Sequence, residues 1–423
     1  MYSTDPCYAS FVQILREELL PAMGCTEPIA VAYAAAKARE LLGALPDRLL
    51  VEASGNIIKN VKSVVVPNTG GLKGIAAAAA AGARAGDASA ELQVLSAITP
   101  PQIDEITAYL AKTPIRVAHA DTPHIFDIAV SAFAGDESAY VRITDFHTNI
   151  VCLRRNGETL LEKPSGGGED ALTDRSCLSV ERIVSFADCV ALADVAEPLE
   201  RQIAYNMAIS EEGLRRSYGA NIGKTLLRGH ENELDYKLRA WAAAGSDARM
   251  NGCELPVVIN SGSGNQGITT SVPVIVYARE TGASHEQLLR ALTVSNLVTI
   301  HLKTGIGRLS AYCGAVSAGA GAASGIAYLK GGRFEMIAHV IVNTVAVTSG
   351  IVCDGAKASC AAKIAAAVDA GLLGLAMYRD GNEFYGGDGI VKKGVEKTIE
   401  IVGRLARNGM QETDREIIRL MME

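Results

Sequence analysis

The sequence predicts a mainly helical α+β protein. A Gly/Ala-rich helical catalytic domain, residues 1–86 and 201–423, carries an inserted small α+β module at residues 87–200. Three observations lead there. Apolar residues make up 48% of the 423, ample for a sizeable core. Aromatic residues are only 5% while glycines number 42, so small side chains must do much of the packing. Alternating β-branched segments gather between about 87 and 200, and helical patterns flank them on both sides.

Taken in order, Pro28–Leu42 is an Ala-rich helix, with Pro28 in its first turn and Gly43 at its stop. Leu49–Val66 reads as extended, turning at Ser54-Gly55-Asn56, and Pro67–Gly71 is a loop that opens a helix over Ile75–Ala85. Within the inserted module, Ile115–His119, Ile125–Ala132, Ala139–Thr144 and Asn149–Arg154 read as strands. Asn156-Gly157 is a hairpin signal, because both turn residues need positive φ. Pro164–Gly168 is a flexible connector. From about 200 the pattern is helical again and ends in the amphipathic stretch Thr413–Met422. Leu309–Leu329 and Met336–Cys353 lack formal charges, yet their Gly, Ala, Ser, Thr and Asn content suits buried helices better than membrane spans.

Charge and cysteine usage narrow the function. The net charge of −7 argues against a nucleic-acid partner. MYSTDPCYAS has neither a basic n-region nor an apolar h-region, so no secretory signal is expected. Nine cysteines are odd in number and suggest reduced thiols in a cytoplasmic protein rather than a disulfide framework.

The motifs are local. Gly262-Ser-Gly264-Asn-Gln-Gly267 follows the strand-like Pro256–Asn260 and matches G-x-G-x-x-G. The β-branched, proline-interrupted run Ile268–Val276 does not look like the helix a dinucleotide site requires. Two alternatives stay open: a loop whose N–H groups hold a small anion such as a carboxylate, and a structural glycine turn. No two of the seven histidines sit three or four residues apart, and only His147 and His301 fall near polar loops. Cys353 and Cys360 lie seven residues apart and would share one side if the segment were helical. Cys313 sits in a similar small-residue setting, and buried free cysteine is the bland alternative for all three. Cys25 precedes a predicted helix, where a thiol pKa can fall, although nearby Glu27 opposes that shift.

Together, Gly24-Cys-Thr-Glu-Pro28, Ser261–Gly267, Tyr312-Cys-Gly314 and Cys353-Asp-Gly-Ala-Lys-x-x-Cys360 resemble the L-cysteine desulfidase family, related to the catalytic α domain of iron–sulfur L-serine dehydratases. The resemblance covers nearly the whole chain. It implies a carbon–sulfur lyase degrading L-cysteine to pyruvate, ammonia and hydrogen sulfide without pyridoxal phosphate. It implies one [4Fe–4S] cluster per subunit on Cys313, Cys353 and Cys360, acting as a Lewis acid, and Cys25 as the base. Ser263, Asn265 and Gln266 are candidates to grip the substrate, with Asn68 and Thr69 as a second polar loop. Cys253 is a further thiol for which a packed structural role is preferred. The sequence ends Leu420-Met-Met-Glu423, without the terminal cysteine that some iron–sulfur serine dehydratases carry.

Two other readings stand beside this one: an iron–sulfur L-serine dehydratase, and a non-catalytic small-molecule-binding or sensor protein. The expected partner is a small amino-acid substrate, with no nucleic acid and no membrane. The Gly/Ala-rich helices suggest close packing between subunits and hence a homo-oligomer.

Overall fold

The computed structural model describes residues 5–24, 26–164, 172–307 and 310–423. The described chain opens with α1 (Pro6–Glu18), β1 (Pro21–Met23) and α2 (Thr26–Leu42). Then come β2 (Arg48–Ala53), α3 (Gly55–Val61), α4 (Gly74–Ala85) and α5 (Pro100–Lys112). Five strands follow: β3 (Ile115–His119), β4 (Asp127–Ala134), β5 (Glu137–Thr144), β6 (Ile150–Arg155) and β7 (Glu158–Glu162). The chain continues through α6 (Val180–Cys189), α7 (Leu192–Arg215), α8 (Ile222–Leu227), α9 (Leu234–Met250) and β8 (Pro256–Val258). It ends in α10 (Gly264–Thr281), α11 (His285–Ile306), α12 (Gly314–Leu329), α13 (Phe334–Thr348), α14 (Cys360–Arg379), α15 (Val395–Arg404) and α16 (Gln411–Met422). The fold is α+β and mainly helical, as the sequence predicts.

Two large hydrophobic cores organise it. The smaller lies between the six-stranded sheet, order β3-β2-β4-β5-β6-β7, and the helices α2, α3 and α4. Leu49, Val51 and Ala53 alternate inward from β2, which runs parallel to β3 and antiparallel to β4. Asn156 and Gly157 take φ of 50° and 82° at the β6–β7 turn, the left-handed geometry that their sequence predicts. The larger core holds α1, α6, α7 and the helices α9 to α15. The layers therefore cut the chain elsewhere than at residues 86 and 200. β2 sits inside the sheet, and α6 and α7 bury Ile183, Phe186, Leu199 and Ile209 in the helical core. Hydrophobic faces, not sequence texture, decide which layer an element joins.

Three local expectations are corrected. Residues 55–61 form a helix, not a strand. Ile57, Ile58 and Val61 fall at helical spacing and bury against the sheet, and the Ser54 hydroxyl donates to the Ile125 carbonyl. The proline-interrupted run after the glycine loop is also helical. Ile268, Val272, Val274 and Ile275 are fully buried in α10, and burial on that scale outweighs the weak helix propensity of β-branched residues. A dinucleotide fold still does not follow, because β8 pairs only with β1, antiparallel, outside the large sheet. Finally, Cys353–Ser359 is not helical: α14 starts at Cys360.

The uncharged stretches become the buried helices α12 and α13. α12 packs against α10, α11, α13 and α14 at once, which leaves no room for large side chains. A Cβ on Gly321 would stand 2.0 Å from the Thr299 hydroxyl oxygen. One helix, α14, is long and apolar enough by composition to cross a membrane, and half of that window is buried in the protein.

Candidate active site

A cavity of about 120 Å³ lies on the seam between the two cores. One side is built by α2 and α3, which supply Glu27, Lys59 and Asn60. The other is built by helix starts. Ser263 caps α10, Cys313 caps α12, and Cys360 is the first residue of α14. The positive end of each helix dipole lies at this side of the cavity.

The thiols meet through a short backbone pairing. Tyr312 and Val352 form an antiparallel bridge, the Cys313 N–H donates to the Ile351 carbonyl (3.1 Å), and the Cys353 N–H donates to the Ala311 carbonyl (2.6 Å). This sets Cys313 and Cys353 side by side across forty residues of chain. The Cys313 thiol donates to the Cys353 sulfur, which holds Cys353 well below the usual thiol range, and the Lys59 and Lys363 charges add to the effect. The same bond, with burial, holds Cys313 up. Cys360 lines the same cavity with its Sγ against the Gly355 carbonyl at 3.6 Å, and burial raises its pKa. Gly355 takes φ of 94°, and a Cβ there would stand 2.0 Å from the Lys59 carbonyl oxygen, so only glycine lets α3 approach the thiol loop this closely.

Polar groups line the remaining wall. The Ser263 hydroxyl accepts from the Gln266 N–H. The Asn265 Oδ1 accepts from Arg249 Nη1 at 3.3 Å. The Gln266 amide lies over Gly314, and its buried Oε1 has no hydrogen-bond partner. Lys59 is 2% exposed and salt-bridged to Asp414 of α16 at 2.5 Å. Glu27 accepts from Asn60 and from the Thr26 hydroxyl.

Of the residues singled out in the sequence, Ser263, Asn265, Gln266, Cys313, Cys353 and Cys360 all line this cavity. Cys25 lies outside the described residues. Asn68 and Thr69 do not line the cavity: they bond the Leu95 and Val66 carbonyls and shape a loop whose Pro67 packs on Gly24. Cys253 is buried in the larger core beside Tyr218. His301 pairs with Glu396 in a separate cleft, and His147 packs edge-on against Phe126. Arg249, Lys59 and Lys303 line the cavity without having been singled out. Their signal is three-dimensional: a buried cation beside a motif that the sequence does identify.

Among the described residues, no group of His, Cys, Asp and Glu closes around a single metal ion. The donor set suits a cluster better. A [4Fe–4S] cluster takes its thiolates on separate irons, so its ligands need to face one cavity without converging on one point. Three half-buried thiols lining one cavity, one of them favoured as thiolate beside two lysines, fit that requirement.

Comparison with known proteins gives the family of the chain. A family model described as the serine dehydratase alpha chain matches residues 89–419. The chain belongs to this serine-dehydratase-alpha-like family, whose members are lyase-type enzymes. It is 56% identical to the UPF0597 protein DSY1109 of Desulfitobacterium hafniense (strain Y51), over 100% of this chain and 98% of that protein. The UPF0597 protein of Treponema denticola is 50% identical, with 98% of each chain covered. That of Lachnoclostridium phytofermentans is 51% identical, over 98% of this chain and all of the relative. The relationship to serine dehydratases rests on the family model, and the relatives' names state no activity.

Proposed function

We propose that the protein is a carbon–sulfur lyase that converts L-cysteine and water to pyruvate, ammonia and hydrogen sulfide, without pyridoxal phosphate. The observation that carries this reading is the gathering of Cys313, Cys353 and Cys360 around a small cavity that Arg249 and Gln266 also line. Those three cysteines would hold a [4Fe–4S] cluster with one iron left open, supplying an electrophile for the leaving group. Lys59 and Lys363 balance the thiolate charge around Cys353. Gln266 and the first turn of α10 orient the amino acid. Cys25, assigned through its motif, takes the Cα proton, with Glu27 and Asn60 forming the cavity wall on that side of the chain. Loss of the Cβ–S bond then gives aminoacrylate and sulfide. The enamine tautomerises to an imine, which water hydrolyses to pyruvate and ammonia.

The family description favours a second reading, L-serine as the substrate. The two substrates differ in one atom, and the same residues serve both. Anaerobically purified protein is expected to hold about four iron atoms and four acid-labile sulfides per chain. Sulfide release from L-cysteine in the same preparation tests the activity. A kcat/KM for serine above that for cysteine assigns the enzyme as the dehydratase instead. Cys313→Ser, Cys353→Ser and Cys360→Ser should each lose iron and activity together. Full iron retention in any one of them removes that residue from the ligand set.

A further inference from the structure

Among the described residues, Arg249 is a buried cation with no carboxylate partner. It is 6% exposed, its Nε has no hydrogen-bond partner, and its one bond runs from Nη1 to the neutral Asn265 side chain. Two other charged groups beside the cavity have partners. Lys59 has Asp414, and Glu27 has Asn60 and Thr26. Leaving a guanidinium out of water with no anion is costly, and a fold keeps such a group where a ligand completes it.

The surroundings define that ligand. The guanidinium lies against Gly264, the first residue of the eighteen-residue helix α10, where a Cβ would stand 2.3 Å from Nε. An anion beside Arg249 therefore also meets the unpaired N–H groups of the first turn of α10. Arg249 presents a planar fork of donors, which matches a carboxylate. A complementary vacancy lies on the same wall: Gln266, 5% exposed, aims a buried Oε1 that no donor reaches. A neutral acceptor there suits an ammonium.

We infer that Arg249, with the N-terminus of α10, is the binding site for the α-carboxylate of the substrate, and that Gln266 Oε1 receives its α-ammonium. The ligand class is the zwitterion of a small α-amino acid. The assignment of this ligand as a substrate rests on the lyase reading above, whereas the binding site itself does not. Arg249 thereby becomes a specificity-determining residue, which discriminates amino acids from carboxylic acids and amines that carry only one of the two charges.

The test uses L-alanine, which has both charges but no leaving group, and propionate, which lacks the ammonium. Binding to the full, anaerobically prepared protein is measured by calorimetry, and the thermal midpoint without ligand is recorded for each variant. Wild type should bind L-alanine, and propionate about tenfold more weakly. Arg249→Met should weaken L-alanine by about 30-fold or more, with Arg249→Lys in between. Its midpoint without ligand should equal or exceed that of wild type, because an unanswered buried charge has been removed. Gln266→Leu should weaken L-alanine but leave propionate unchanged. Undiminished L-alanine affinity in Arg249→Met, or no binding of L-alanine to wild type at all, overturns the inference. Should Arg249→Met fail to fold, Gly264→Ala displaces the guanidinium and makes the same binding prediction. Loss of L-alanine binding in a protein that turns over neither cysteine nor serine would sustain the site and overturn the lyase reading. Active enzyme with an unaltered KM in Arg249→Lys and Gly264→Ala would do the reverse.

Discussion

Asp247 on α9 is 1% exposed; its Oδ2 accepts the Gly223 N–H at 2.9 Å, while Oδ1 has no partner. Burial dominates and lifts its pKa to about 6. The folded protein therefore holds this proton at a pH where the unfolded chain has released it. Stability from this group is present at low pH and falls as pH rises from about 4 to about 6. The ionised form then costs about 2–3 kcal/mol at neutral pH. Asp247→Asn should flatten that part of the pH–stability profile and raise the urea midpoint at pH 7.5. A parallel loss of stability at all pH values would show that the carboxylate is needed for its bond to α8 instead. At this scale the three cysteines were singled out through the family motifs rather than their spacing, and the fold brings them to one cavity. Arg249 was not. In the sequence it ends an ordinary helix, and only the folded structure reveals that it has no carboxylate partner among the described residues.

α16 does more than close the chain. Its Asp414 accepts from both Lys59 and Asn56 of α3, Ile418 packs on Gly55, and Lys62 reaches the Met421 carbonyl. Removing one partner of a pair this deeply buried strands the other charge. Asp414→Ala should cost about 2–4 kcal/mol in chemical denaturation. The double variant Lys59→Met, Asp414→Ala should recover most of that loss, since the stranded ammonium is then gone. Additive losses would show that the pair is incidental. The amphipathic character of α16 is plain from sequence, but its partner is not: Lys59 lies 355 residues earlier, in a segment that reads as extended. α3 and α10 were both misread for the same reason. Their β-branched residues carry strand propensity, and the burial that overrides it comes from elements distant in sequence.

Across the whole molecule, the cavity draws on both layers, with Glu27, Lys59 and Asn60 from α2 and α3 and Arg249 and Gln266 from α9 and α10, while Cys360 packs against the smaller core. A group held on that seam binds the native state alone. Chelating iron from the loaded protein should therefore lower the thermal midpoint, and restoring iron and sulfide anaerobically should return it. An unchanged midpoint would mean that iron, if bound, sits elsewhere. The mixed architecture and the small-residue packing were readable from composition. The layer boundaries were not, because β2 and α6 join cores that sequence texture alone assigns to the other unit.

The pairing of Tyr312 with Val352 closes a helical hairpin, α12 and α13, whose tip lies at Lys330–Arg333. At 1.5 Å per residue, the sixteen residues of α12 put that tip about 24 Å from the thiols. Gly331 at the tip is exposed, with φ of 87°. Lengthening such a turn adds a closure entropy that grows only slowly with length. The hairpin thus offers a natural handle. A peptide tag or tether inserted at Gly331 would hang from the far end of a rigid lever, and the protein could be immobilised or labelled there while the cysteine wall keeps its shape.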